Sequence, residues 1–340
     1  MLHGVTTPRR RRLVVGGCGL ALLAVVVSIG VALERLHVLE PRVRHGTAVY
    51  WLAFSRDGSR LFSISPEENK FLLRDLENPY ERWHGARRSH QGVAIWGTMS
   101  SDGKFALFER DEDSPKKDRV CELFDLEHWR SVRLVEPGEV AKVAFSPDAR
   151  RFAWASDTQL HVGALPGGET IASRPKTWKH GETGLAFADD GRRLAVGEDS
   201  AVLLEDAVSG APIRRFPLTA ETEDVYGLAF SPDQRTLVAA VSMVLIAFDV
   251  TTGTQRWRVP VVHDAQVRTL DFSPDGRLVF CRADLGVLAY EASTGKQVGF
   301  AQQDDYLSVA FAPEGGVAAL GRPDGSIDLM PTDAFLARFR

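Results

Sequence analysis

One stretch, V-R-T-L-D-F-S-P-D-G-R-L-V-F over residues 267–280, recurs seven times along the chain in more or less worn form. It reads as two short strands joined by a tight turn. Val267, Leu270 and Phe272 supply apolar positions before the turn, and residues 278–280 supply them after it. Within Ser273-Pro274-Asp275-Gly276 the proline presets φ and the glycine tolerates a positive φ, so the turn has a physical cause. A lone hairpin cannot bury its own apolar face. Seven copies therefore imply stacked units that bury it for one another.

Aligned on the phenylalanine, the copies centre on Phe54/Asp57, Met99/Asp102, Phe145/Asp148, Phe187/Asp190, Phe230/Asp233, Phe272/Asp275 and Phe311/Glu314. The steps between anchors are 45, 46, 42, 43, 42 and 39 residues. Each unit has room for two further strands. Residues 246–249 and the turn V-T-T-G read as a third strand with its turn, and Q-R-W-R-V as the fourth. Equivalent runs lie near Asp75, Asp125, Asp206 and Glu291, while the third repeat keeps only G-A-L-P-G-G. Asp75 and Trp83 share the spacing of Asp249 and Trp257, which fixes the register independently of the turn motif. Four short strands per period of about 40–45 residues predict an all-β, seven-bladed β-propeller of four-stranded antiparallel blades over residues 43–340. Two segments compete to complete the last blade, residues 336–340 or residues 41–44.

The first 42 residues have a different character. Residues 13–33 carry no charge, and as a helix they span ~31 Å, enough to cross a hydrocarbon core. Arg9, Arg10, Arg11 and Arg12 precede them directly. The expected order is a basic cytoplasmic tail (1–12), a transmembrane signal anchor (13–33) and a linker (34–42). The basic excess puts the propeller outside the cytoplasm, in the periplasm or at the cell surface. A cleaved signal peptide ending at Gly30-Val31-Ala32 is the alternative. Val15-Gly16-Gly17-Cys18 looks somewhat like a lipobox, but the apolar run before Cys18 is too short for a signal peptide.

Over the repeats the chain resembles the WD40-repeat family. That resemblance implies a histidine before the first strand and an aspartate between the second and third strands, joined in a hydrogen-bond network. His45, His90 and His263 each lie nine residues before their anchor, and Asp118, Asp157, Asp199, Asp284 and Asp324 occupy the matching turn. The chain departs from the family in lacking any tryptophan–aspartate pair; Phe124-Asp125 and Phe248-Asp249 are the nearest. A-F-D-V-T-T-G-T-Q-R-W over 247–257 also looks like the tryptophan-docking repeat of quinoprotein-type propellers. Those include pyrroloquinoline-quinone dehydrogenases and non-catalytic envelope assembly scaffolds. This chain has no vicinal cysteine pair, and the enzymes are normally much longer.

Signals for chemistry are sparse. The formal net charge is −4, and the four arginines of residues 1–12 leave −8 for the remainder. A mildly acidic body lacks the basic face that nucleic acid requires. Cys18, Cys121 and Cys281 have neither CxxC nor Cys/His spacing, so they predict no zinc site and no disulfide framework. No nucleophile elbow, HExxH, phosphate loop or EF-hand occurs. The turn acids read as braces for nearby amides, and the polar run 109–118 as a solvated hairpin tip. Two loops combine bases with aromatic or histidine residues, H-G-A-R-R-S-H with Arg87 and Arg88, and R-P-K-T-W-K-H with Lys176, Trp178 and Lys179. Arginine and tryptophan are enriched in interface hot spots. The expected function is a non-catalytic, membrane-anchored protein-binding or scaffolding propeller, with no catalytic residue, cofactor or metal. Its rivals are an extracytoplasmic enzyme or sensor taking a small molecule or glycan in the channel, and an envelope assembly scaffold.

Overall fold

A computed structural model describes residues 47–66, 70–76, 84–88, 94–111, 119–135, 143–156, 158–175, 183–218, 224–261, 267–283, 286–302 and 305–339. Their strands form seven antiparallel sheets, each made by one repeat. Blade 1 holds β1 (Trp51–Phe54), β2 (Arg60–Ser65), β3 (Lys70–Asp75) and β4 (His84–Arg88). Blade 2 holds β5 (Ala94–Met99), β6 (Phe105–Asp111), β7 (Arg119–Asp125) and β8 (Arg130–Val135). Blade 3 holds β9 (Val143–Phe145), β10 (Arg151–Ala155), β11 (Gln159–Ala164) and β12 (Thr170–Pro175). Blade 4 holds β13 (Leu185–Phe187), β14 (Arg193–Glu198), β15 (Ala201–Asp206) and β16 (Pro212–Pro217). Blade 5 holds β17 (Val225–Phe230), β18 (Thr236–Val241), β19 (Val244–Asp249) and β20 (Gln255–Pro260). Blade 6 holds β21 (Val267–Phe272), β22 (Leu278–Ala283), β23 (Gly286–Glu291) and β24 (Gln297–Gln302). Blade 7 has three described strands, β25 (Ser308–Phe311), β26 (Val317–Gly321) and β27 (Ile327–Pro331).

Burial follows strand position. A second or third strand is covered on both faces by neighbouring blades, so its sequence loses the two-residue alternation and becomes continuously apolar. Thus β18, Thr-Leu-Val-Ala-Ala-Val, is buried along its whole length. Fourth strands are solvated and polar, as in β12 and β16. First strands are half-buried because they border the central channel, as β1 does.

The core is correspondingly divided into seven apolar clusters, one at each interface between blades. The cluster that closes the ring joins Val49 and Leu61 to Ala319 and Ile327. Main-chain bonds reinforce that closure. Val49 N–H donates to the Arg322 carbonyl at 3.1 Å, and Ser308 Oγ donates to the Val49 carbonyl at 2.9 Å. Cys121 and Cys281 are buried inside these clusters and belong to no disulfide.

The last blade removes one of the two alternatives for its closing strand. Residues 336–339 do not form its fourth strand. After β27, Thr332–Leu336 is a short helix, α1, and Ala337–Phe339 a 3-10 turn. Pro331 ends the strand and lacks the N–H that would extend the ladder. The helical turn then buries Phe335, whose ring lies 5.6 Å from Phe280 and 5.9 Å from Phe311. The rival segment 41–44, the expected membrane helix 13–33, its flanks and His45 all lie outside the described residues. Among the described residues no helix is long and apolar enough to cross a membrane.

Candidate functional site

Antiparallel alternation gives the ring two rims. The turns after first and third strands share one, here called lower. The turns after second strands and the links between blades share the other, the upper. On the lower rim the recurring acids brace their own turns. Ser55 Oγ donates to Asp57 Oδ1 at 2.6 Å, and the Arg60 amide donates back to Ser55 Oγ at 2.9 Å. The same serine–aspartate bracket recurs at Ser100/Asp102, Ser146/Asp148, Ser231/Asp233 and Ser273/Asp275, all between 2.5 and 2.6 Å. The Ser55 and Ser231 hydroxyls, with turn amides, hold the Asp57 and Asp233 carboxyls below the ordinary carboxylate range.

A second set of brackets closes the turns after third strands. Asp249 accepts the amides of Thr251 and Thr252 at 2.9 Å and the Arg256 guanidinium at 2.6 Å. Arg256, followed by the Thr252 amide, lowers its pKa to about 2. Asp125 and Asp206 accept their turn amides in the same way. These acids act on geometry.

These turns also receive the neighbouring blade. The indole N–H of Trp257 on β20 donates to the Ala292 carbonyl at 2.9 Å, and its ring lies against Gly295, whose φ is +73°. Arg214 of blade 4 makes the analogous reach to the Thr252 carbonyl, 3.0 Å, beside Gly253. Arg174 of blade 3 lies against Gly210 and forms a double ion pair with the buried Glu205, at 2.7 and 3.0 Å. Trp257 thus links blade 5 to the turn after the third strand of blade 6.

Two of the five expected partner-binding residues lie within the described structure. Arg87 and Arg88 close β4, the outermost strand of blade 1, rather than lying in the link that follows it. Lys176, Trp178 and Lys179 lie outside the described residues, as do His90, His263, Asp118, Asp157 and Asp284. Asp199 occupies the turn between β14 and β15. Asp324 caps the turn between β26 and β27, accepting the Ser326 amide at 2.9 Å.

The channel holds the residues that sequence reasoning missed. A cavity of about 330 Å³ is lined by first strands of blades 1, 2, 6 and 7 together with β22. Arg282 of β22 stacks over two rings of blade 1, 5.0 Å from the Tyr50 centroid and 4.6 Å from that of Trp51. Asp271 of β21 lies in the same wall. Its carboxylate accepts the Phe272 amide at 2.9 Å and forms no ion pair among the described residues. Channel water reaches the side chain. The surrounding channel walls nonetheless desolvate it in part, and that raises its pKa to about 6 against the pull of the Phe272 amide. Water inside so narrow a space screens charge poorly, so the enclosure governs the direction of the shift.

A signal for both residues was present. The position before each anchor reads Ala53, Thr98, Ala144, Ala186, Ala229, Asp271 and Ala310, and Asp271 alone there carries a charge. Ten residues after each anchor stand Ile64, Glu109, Ala155, Gly197, Ala240, Arg282 and Gly321, where Arg282 is the one cation. No family model matches the chain, and no curated protein matches it.

Proposed function

We propose that the protein is a non-catalytic, WD40-like binding propeller that engages a protein partner through its upper rim. We further propose that residues 13–33 anchor it in a membrane with the ring on the extracytoplasmic side. One observation carries the binding reading, the contrast between the rims. In five of the seven blades the lower-rim aspartate is held by the same serine bracket. The basic stretch that ends at Arg88 closes β4 toward the other rim, and the basic stretch with Trp178 follows β12 in the sequence. Loops on a rigid scaffold are where binding residues concentrate. The anchor reading rests on the uncharged run and the four arginines before it.

Site-specific photo-crosslinking in membranes tests both parts. A crosslinking residue at position 88 or 178 is expected to trap a discrete protein adduct, and one at position 275 on the lower rim to trap none. Equal trapping from both rims, or none from either, would refute the upper-rim site. A reporter fused after Arg340 is expected to be active only when it is of a type that works outside the cytoplasm. The opposite pattern reverses the orientation.

A further inference from the structure

The channel wall of blade 6 is chemically unlike the walls formed by the other first strands. Asp271 pairs with Phe280 across β21 and β22, and Thr269 with Arg282. Asp271 and Arg282 are therefore diagonal neighbours on one face, with backbones roughly 7–8 Å apart. Asp271 presents its carboxylate to the cavity and has no ion-pair partner among the described residues. The opposite charge stands on the same face, steered by Tyr50 and Trp51. Cation–π contacts of this kind fix where the guanidinium points. Thr98 and Thr269 add hydroxyls to the lining, and Phe280 and Phe311 add apolar surface. The volume of about 330 Å³ lies at the small end of ligand sites. A bare anion would leave Asp271 uncompensated, and a bare cation would face Arg282. A molecule carrying both charges close together meets each.

We propose that this cavity binds a free amino acid, its ammonium on Asp271 and its carboxylate on Arg282. The site is separate from the upper-rim surface and does not depend on it. On the lower side the channel is narrowed by the ring of first turns, where Arg56 reaches from blade 1 to the Pro147 carbonyl of blade 3 at 3.0 Å. Tyr50 and Arg282 are the other ionisable side chains in the lining. Asp271 is thus the group that sets the acid limb of binding.

The test is calorimetric titration of the full-length protein with each standard L-amino acid, using butylamine and butyrate as single-charge controls. The expected result is saturable binding of at least one amino acid in the millimolar range or tighter, with neither control binding. Asp271→Asn and Arg282→Gln are each expected to weaken that binding at least tenfold, while Asp275→Asn on the lower rim leaves it unchanged. Binding is expected to decline as the pH falls through about 6. Circular dichroism confirms folding of each variant, and Arg282→Lys replaces Arg282→Gln where the latter does not fold. The inference is overturned if no amino acid binds, if a control binds as well as the amino acid, or if binding survives both substitutions.

Discussion

Trp257 offers a direct measure of how one blade holds the next. Its side chain is 8% exposed and sits in the apolar cluster between blades 5 and 6. Trp257→Ala removes a large buried ring and leaves the Ala292 carbonyl without its indole donor. Truncations of this kind cost about 3–5 kcal/mol. Gly295 provides the complementary perturbation. A methyl group there comes within 2.8 Å of Trp257 Cδ2 and Cε3 and 3.1 Å of Val259 Cγ1. Gly295→Ala therefore carries about 1–2 kcal/mol for the left-handed backbone and about 1–3 kcal/mol more for overpacking. Only the second part depends on the indole. In the Trp257→Ala background the collision with the ring disappears, so the double variant should be more stable than the sum of the singles by about 1–3 kcal/mol. Urea denaturation of the four proteins, followed by far-ultraviolet circular dichroism, gives the cycle directly. Additivity within about 0.5 kcal/mol would show that ring and turn do not support each other.

Acid stability tests the lower-rim brackets. The Asp57, Asp233 and Asp249 carboxyls titrate lower in the folded chain than their ordinary value near 3.8, and Asp249 reaches about 2. A depressed folded pKa contributes stability that is complete above the unfolded value and is lost as the pH falls toward the folded one. The urea midpoint should therefore drop between about pH 4 and pH 2, and Asp249→Asn should make that drop shallower; an unchanged slope would remove Asp249 from the account. The Arg174–Glu205 pair gives a third expectation. Arg174→Met strands a carboxylate whose side chain is 4% exposed, which costs about 3–5 kcal/mol when a buried pair is broken on one side. Arg174→Met with Glu205→Met should recover most of that loss in the same urea assay, and equal instability of both variants would mean that packing, rather than charge, holds the site.

Much of the architecture was legible before any coordinates. The turn motif repeats because each blade needs the same tight reversal, so period, blade number and strand order followed from local chemistry alone. The turn acids were legible for the same reason. Asp57 and Asp275 bond to groups two residues away, and a contact that local is written in the sequence. Trp257 was readable as a docking residue, although its acceptor at Ala292 belongs to the next repeat.

Three features were decided by strand pairing and packing rather than by local sequence. Residues 336–340 align with a fourth strand, yet Phe335 gains more from the core between blades 6 and 7 than a ladder could offer it, and the chain turns helical there. Arg87 and Arg88 read as a link and proved to end a strand, because pairing with Lys70 and Phe71 extends further than the turn residues suggest. The channel site is the third. Asp271 and Arg282 are visible in sequence as departures from the repeat, but Tyr50 and Trp51 lie more than half the chain away. They meet Arg282 only because the ring brings blade 1 round to blades 6 and 7. Short-range hydrogen bonding and the apolar period set the blades. Closure of the ring decides which of their side chains meet in the channel.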